Sequence, residues 1–184
     1  CTFVVNTDAL TIDAQLTYTD MQVTWANAGA GDWSVAGNWW PQAPASAGAL
    51  TLFGDALNEN AVVNVDGAVS VAEISFNHTY RYTLSGAPVT LSNGVGDATV
   101  SVVKGSHTLA SPLLLRGGTV ASIASGAELK ITDVASGAGS LTVEGGGQLT
   151  LDGTNATPMT VRGGATVAVP TVASLSGLDL TLDG

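Results

Sequence analysis

Two histidines, one cysteine and fifteen carboxylates are the side chains with which this chain could move protons, hold a metal or attack a bond. His78 and His107 lie far apart, each beside Thr or Ser, and neither stands in a Ser/His/Asp or Cys/His spacing. A nucleophile needs a base within hydrogen-bond reach, and nothing in the sequence points to such a pair. No H-E-x-x-H, phosphate loop or dinucleotide fingerprint occurs in a strand–helix setting. One Cys and two His fall short of a zinc-ligand set. Glycoside hydrolysis needs two facing carboxylates, whereas here they are single and scattered. The expectation is that the chain is not an enzyme.

Oxygen-rich turns suit calcium better than zinc. Asp66, Asp97, Asp152 and Asp183 each stand in a Gly turn, and Gly94-Val95-Gly96-Asp97 is a fragment of a calcium-repeat pattern without its tandem copies. An ordinary Asx turn accounts for the same residues. No cofactor is therefore expected, with Asp66, Asp97 and Asp152 as the calcium candidates. Trp25, Trp33, Trp39 and Trp40 fall within sixteen residues. They suit either a cap over the end of an apolar core or a platform for sugar rings. Asn77-His78-Thr79 and Asn155-Ala156-Thr157 match the N-glycosylation pattern, which chance also supplies in a Thr-rich chain. Cys1 opens the numbering, which suggests a processed or trimmed start: a lipid anchor, a cross-link to another subunit, or an idle thiol.

The elements that must position these residues are strands. The chain has 184 residues, 45% hydrophobic and 11% charged, with 23 Gly and a formal net charge of -10. Five cations against fifteen anions argue against nucleic acid, whose phosphates need clustered positive charge. No apolar run approaches the roughly 18 residues of a membrane-spanning helix. Helical periodicity is almost absent, because Gly or Pro interrupts nearly every window. Short alternating runs predict strands at 50–53, 61–65, 69–76, 80–84, 99–103, 128–131, 141–143, 148–151 and 166–169.

A loose repeat runs from about residue 62: an apolar residue, a charged residue, then Gly. It occurs at Val65-Asp66-Gly67, Val103-Lys104-Gly105, Leu115-Arg116-Gly117, Val143-Glu144-Gly145, Leu151-Asp152-Gly153, Val161-Arg162-Gly163 and Leu182-Asp183-Gly184. The sign of the charge varies while its position does not. That fits a solvent-facing corner, with Gly supplying positive φ for the turn. Short strands, Gly corners and a degenerate repeat point to a solenoid. The expected fold is all-β, a right-handed parallel β-helix with an N-terminal strand extension; the alternative is an antiparallel β-sandwich. Residues 1–23 read as the extension, 24–48 as a Trp-rich cap and linker, and 49–184 as β-helix repeats.

The residues Thr24-Trp25, Asp32-Trp33-Ser34, Gly37-Asn38-Trp39, Pro44, Leu52-Phe53-Gly54, Val69–Phe76 and Tyr82-Thr83-Leu84-Ser85-Gly86 form a pattern. It resembles the start of bacterial autotransporter-associated β-strand repeat proteins. The resemblance covers roughly residues 24–184; residues 1–23 depart from it. It implies a secreted surface protein, extracellular or on the cell surface, with a Trp/Asn-rich opening followed by a parallel β-helix.

Two functional classes follow. The first is a structural protein, a subunit of an extracellular filament that adds strands head to tail. Its interface would use Phe3, Val5, Leu10, Ile12, Leu16 and Tyr18 of the extension against Leu178, Leu180 and Leu182 of the last strand. The partner is then another copy of the chain. The second class is an adhesin or polysaccharide-binding module using the tryptophans or a flat solenoid face.

Overall fold

Alternation of apolar and small polar residues makes a strand and decides which side chains enter the core. In the computed structural model, which describes residues 4–6, 11–13, 22–44, 48–94, 96–133, 135–170 and 180–183, such strands stack coil upon coil. β1 (Val4–Asn6) and β2 (Thr11–Asp13) form an antiparallel pair of their own, with Val5 opposite Ile12. Next come β3 (Gln22–Trp25), β4 (Gly31–Asp32), a 3-10 turn at Ala36–Asn38, and β5 (Trp39–Trp40). The first full coil is β6 (Leu50–Phe53), β7 (Ala61–Val65) and β8 (Val69–Val71). The next is β9 (Glu73–Asn77), β10 (Tyr82–Gly86) and β11 (Val89–Leu91). Then follow β12 (Ala98–Lys104), β13 (Ser106–Leu109) and β14 (Leu113–Leu115). The fourth coil is β15 (Thr119–Ile123), β16 (Glu128–Ile131) and β17 (Ala135–Gly137). The last coils hold β18 (Leu141–Glu144) and β19 (Gln148–Leu151), β20 (Met159–Arg162) and β21 (Thr166–Ala168), and β22 (Leu180–Asp183).

Each coil lays one strand on each side of a triangular stack. Sheet 1 runs β5-β3-β6-β9-β12-β15-β18-β20-β22, sheet 2 runs β4-β7-β10-β13-β16-β19-β21, and sheet 3 runs β8-β11-β14-β17. All neighbours in these sheets are parallel except β3 and β5. The chain is a β-solenoid of about six turns, and its parallel ladders exclude the sandwich. No helix among the described residues is long and apolar enough to cross a membrane.

Register turns the alternation into continuous inward rows. In sheet 1, Ile74, Val100, Ala121 and Val143 stack on one another, and all are buried. In sheet 2, Val63, Leu84, Leu109, Ile131 and Leu151 do the same. Thr51 occupies an inward place in sheet 1 and is fully buried. Its hydroxyl donates to the Glu73 carbonyl at 2.7 Å, which offsets the cost of a polar group in the core.

Two sequence expectations need correction. The run 69–76 is not one strand: the chain turns a corner at Ala72, whose N–H donates to the Ala49 carbonyl. The Gly of the charged repeat takes positive φ at Gly105, Gly145 and Gly163 but not at Gly67, Gly117 or Gly153. The reason lies in the architecture. Lys104, Glu144, Arg162 and Asp183 end strands of sheet 1, Asp66 and Asp152 follow strands of sheet 2, and Arg116 follows one of sheet 3. Each copy of the motif ends one side of the triangle, on any of the three sheets, and among the described residues its Gly takes positive φ after strands of sheet 1 but not after those of sheets 2 and 3.

Candidate functional site

The tryptophan segment is built into the first coils. β3 pairs in parallel with β6 and β4 with β7, while β5 closes sheet 1 in antiparallel fashion. Trp25, Trp33 and Trp39 are buried. Trp39 meets Trp25 edge-on at 5.2 Å between ring centres and Trp33 at 4.8 Å. Its indole N–H donates to the Trp33 carbonyl at 2.8 Å. Phe53 lies beneath all three and leads through Phe76 to His107. These three rings therefore pack over the first coil and present no face to a ligand. Trp40 alone of the four is exposed, at 68%.

Two of the calcium candidates, Asp66 and Asp152, have their carboxylates engaged by the protein itself. Asp66 accepts from the Ser34 backbone N–H at 3.0 Å and from its hydroxyl, tying the cap loop to the end of β7. The hydroxyl bond, then the amide bond, holds the Asp66 carboxyl below its ordinary value of 3.8. Asp152 forms an ion pair with Lys130 at 2.8 Å. The Asp97 carboxylate lies so close to Gly118 that a Cβ there would stand 2.1 Å from it. Asp183 ends β22. Among the described residues no three His, Cys, Asp or Glu side chains converge on a point.

The Ser34–Asp66 link gives a direct prediction. A carboxyl held low contributes above pH 3.8 and loses its contribution as pH falls through its folded value. Asp66→Ala should speed hydrogen exchange at the Ser34 amide at neutral pH and leave the amides of β15 and β18 unchanged. Equal Ser34 exchange in both proteins would show that the link holds nothing.

The histidines serve the fold. His107 is fully buried and takes the inward place in sheet 2 that Leu129 takes one coil later. Its Nδ1 accepts from the Tyr82 N–H at 3.1 Å, and its Nε2 faces the Lys104 carbonyl at 2.9 Å. That pair of partners requires the neutral ring with the proton on Nε2. Burial pushes its pKa below the usual 6.5. His78 accepts from the Tyr80 N–H at 2.8 Å and stacks on the Tyr80 ring. Asp55 lies 3.8 Å from His78 and 3.6 Å from Lys104. Tyr82 donates its hydroxyl to the Gly54 carbonyl at 2.7 Å, and burial pushes its pKa up.

No family model, no curated protein and no solved structure matches this chain.

Asn155 is buried, and its side chain is closed on Thr157, accepting from the hydroxyl at 2.7 Å. That pattern is an internal Asx turn and offers no amide to a glycosyl donor. Of the expected subunit interface, Phe3, Leu10, Leu16, Tyr18 and Leu178 lie outside the described residues, as does Cys1. Val5 and Ile12 sit on β1 and β2, and Leu180 and Leu182 on β22.

One polar row was not among the sequence expectations. Ser106, Glu128, Gln148 and Thr166 stand in register at the start of successive strands of sheet 2. Glu128 accepts from the Ser106 hydroxyl at 3.0 Å and from the Thr150 hydroxyl at 2.9 Å. The corner beside this row is lined by Gly126, Gly146 and Gly147 and borders an open groove of about 360 Å³. Its signal was present in the spacing: Gly126-Ala127-Glu128-Leu129, Gly146-Gly147-Gln148-Leu149 and Gly164-Ala165-Thr166-Val167 share one pattern.

Proposed function

We propose that the chain is a structural subunit of an extracellular filament, joined to its neighbour by strand addition at β22. The observation that carries this reading is Leu182. Its row in sheet 1 is inward, continuing Val143 and Val161, yet it is 75% exposed. An inward apolar position completes its burial only when another layer lies on it. Covering a side chain of this size stabilises by about 1.5–3 kcal/mol before ordering costs. At the other end of sheet 1 the antiparallel β5 pairs with β3 and the tryptophans pack over the first coil. A contact between unlike ends need not close on itself and propagates as a filament. The resemblance to secreted β-strand repeat proteins supports the extracellular setting.

The extension is the proposed donor. In the structure β1 and β2 pair with each other, so the donor docks as a hairpin edge or opens to pair singly. Deleting residues 1–21, which stops short of β3, is the test. Electron microscopy should show filaments of the full chain and dispersed particles of the shortened chain, with the β-sheet circular dichroism of both retained. Filaments persisting after the deletion would refute donation by the extension.

A further inference from the structure

We propose that the glycine-lined groove beside Glu128, Gln148 and Thr166 binds a neutral oligosaccharide. The groove runs along the corner between sheets 1 and 2 and is lined by Gly126, Ala127, Glu128, Gly146, Gly147, Gln148 and Thr166. Its volume of about 360 Å³ is in the range of small-molecule sites. Parallel strands lie about 4.8 Å apart, so the three polar rungs span roughly 10 Å along the stack. That is room for linked sugar rings lying across the coils.

The chemistry of the rungs selects the ligand. Glu128 is an acceptor on both oxygens; each holds one hydroxyl of the protein and keeps a further lone pair. Gln148 donates one N–H to Thr150 at 3.2 Å, leaving its carbonyl and its other N–H for a ligand. Thr166 is exposed and offers a donor and an acceptor. Alternating donors and acceptors complement hydroxyl groups, which act as both. An anionic ligand would meet the Glu128 carboxylate. The nearby cations are already paired, Lys130 with Asp152 and Arg162 with Glu144, each at 2.8 Å. Ala127 is the one apolar side chain in the lining, against the three polar ones of Glu128, Gln148 and Thr166. A neutral, polyhydroxylated chain meets all of these conditions.

The glycines make the groove. Gly147 admits no side chain, since a Cβ there would stand 2.4 Å from the Ala124 carbonyl oxygen. Gly126 has φ of 78° and open space where its Cβ would point. Of the larger residues, Asn adopts that backbone most readily. Gly126→Asn therefore places a side chain at the groove without crowding the core. Gly94 has φ of 74°, equally open space, and no part in the groove.

The experiment is saturation-transfer NMR on the full chain with cello-, xylo-, malto- and chito-hexaose, and with an oligogalacturonate as the acidic comparison. At least one neutral hexaose should show transfer. The signal should fall at least tenfold in Gly126→Asn and in Gln148→Ala and persist in Gly94→Asn, with all variants melting as folded solenoids. Should Gly126→Asn fail to fold, Gln148→Ala alone decides. No transfer from any neutral hexaose, transfer from the acidic chain alone, or transfer unchanged in Gln148→Ala would each overturn the proposal. None of these substitutions touches β1, β2 or β22, so filament formation reads out separately from sugar binding.

Discussion

Phe53→Ala should cost about 3–5 kcal/mol, the usual range for deleting a buried aromatic ring, and the loss should fall on the first coils. Phe53 is fully buried. Its ring centre lies 6.2, 6.0 and 5.6 Å from Trp25, Trp33 and Trp39, and 5.2 Å from both Phe76 and Tyr82. It is the layer between the tryptophan cap and the coils below, and five neighbouring rings face the cavity its removal leaves. Four of those rings stand on strands of sheets 1 and 2, and Trp33 directly follows β4 with its N–H bonded to the Asn64 carbonyl, so the site can collapse only in part. A solenoid is held by nearest-neighbour contacts, and distant coils sense a local loss weakly. Urea unfolding followed by tryptophan emission should therefore shift to lower concentration than unfolding followed by circular dichroism. Hydrogen exchange should rise in β3, β6 and β7 and stay low in β15, β16 and β18. A loss below about 1 kcal/mol would mean that the cap is held by its backbone pairing rather than its rings. Coincident shifts by both probes would mean that the stack unfolds as one unit.

Much of the architecture is legible in alternation alone. The strands at 50–53, 61–65, 128–131 and 148–151 have the bounds the sequence predicts: Asn60, Asp66, Gly147, Asp152 and Gly54 bound them directly, and Gly126 and Asp133 stand two residues off the ends of 128–131. The run 69–76 misled because Ala72 is a small apolar residue that fits a corner as well as a strand, and no Gly marks the turn. The charged repeat was legible as corners but not as three different corners, since sequence spacing cannot tell one side of a triangle from one coil. The tryptophans show a different limit. Their clustering marks an end of the core, but only the packing around Phe53 separates three buried rings from exposed Trp40. The row of Glu128, Gln148 and Thr166 was hidden because its members differ in chemistry; what repeats is the Gly two residues before each, and a Gly in this chain is too common to draw notice. In the sequence His107 is one of two isolated histidines. Register reveals it as a polar residue in an apolar row, with both ring nitrogens engaged by the backbone.

That placement makes His107 an acid-sensitive element, and stability should fall as pH drops below 6.5. Burial is the largest cause of its lowered pKa, and the nearby charges of His78 and Arg81 act the same way, while its bonds to the Lys104 and His78 backbone act against it. Above pH 6.5 the ring is neutral in both folded and unfolded chains, and its packing against Phe76, at 4.6 Å between ring centres, is fully present. Between 6.5 and the lowered folded value, only the unfolded chain takes up the proton. Over that window stability declines by about 1.4 kcal/mol for each pH unit. Below the folded value both states carry the proton and the decline levels off. Protonation also puts a hydrogen on Nδ1, where the Tyr82 N–H already points, so two donors face each other in the core. Asp66 loses its own contribution only below 3.8, which separates the two effects on the pH axis. His107→Gln offers an amide donor and acceptor with no titration near neutrality. Urea midpoints measured from pH 8 to 5 should slope downward in the natural chain and run flat in His107→Gln, although the variant starts from a lower midpoint for want of the stacked ring. Parallel slopes in the two proteins would assign the acid sensitivity elsewhere in the chain.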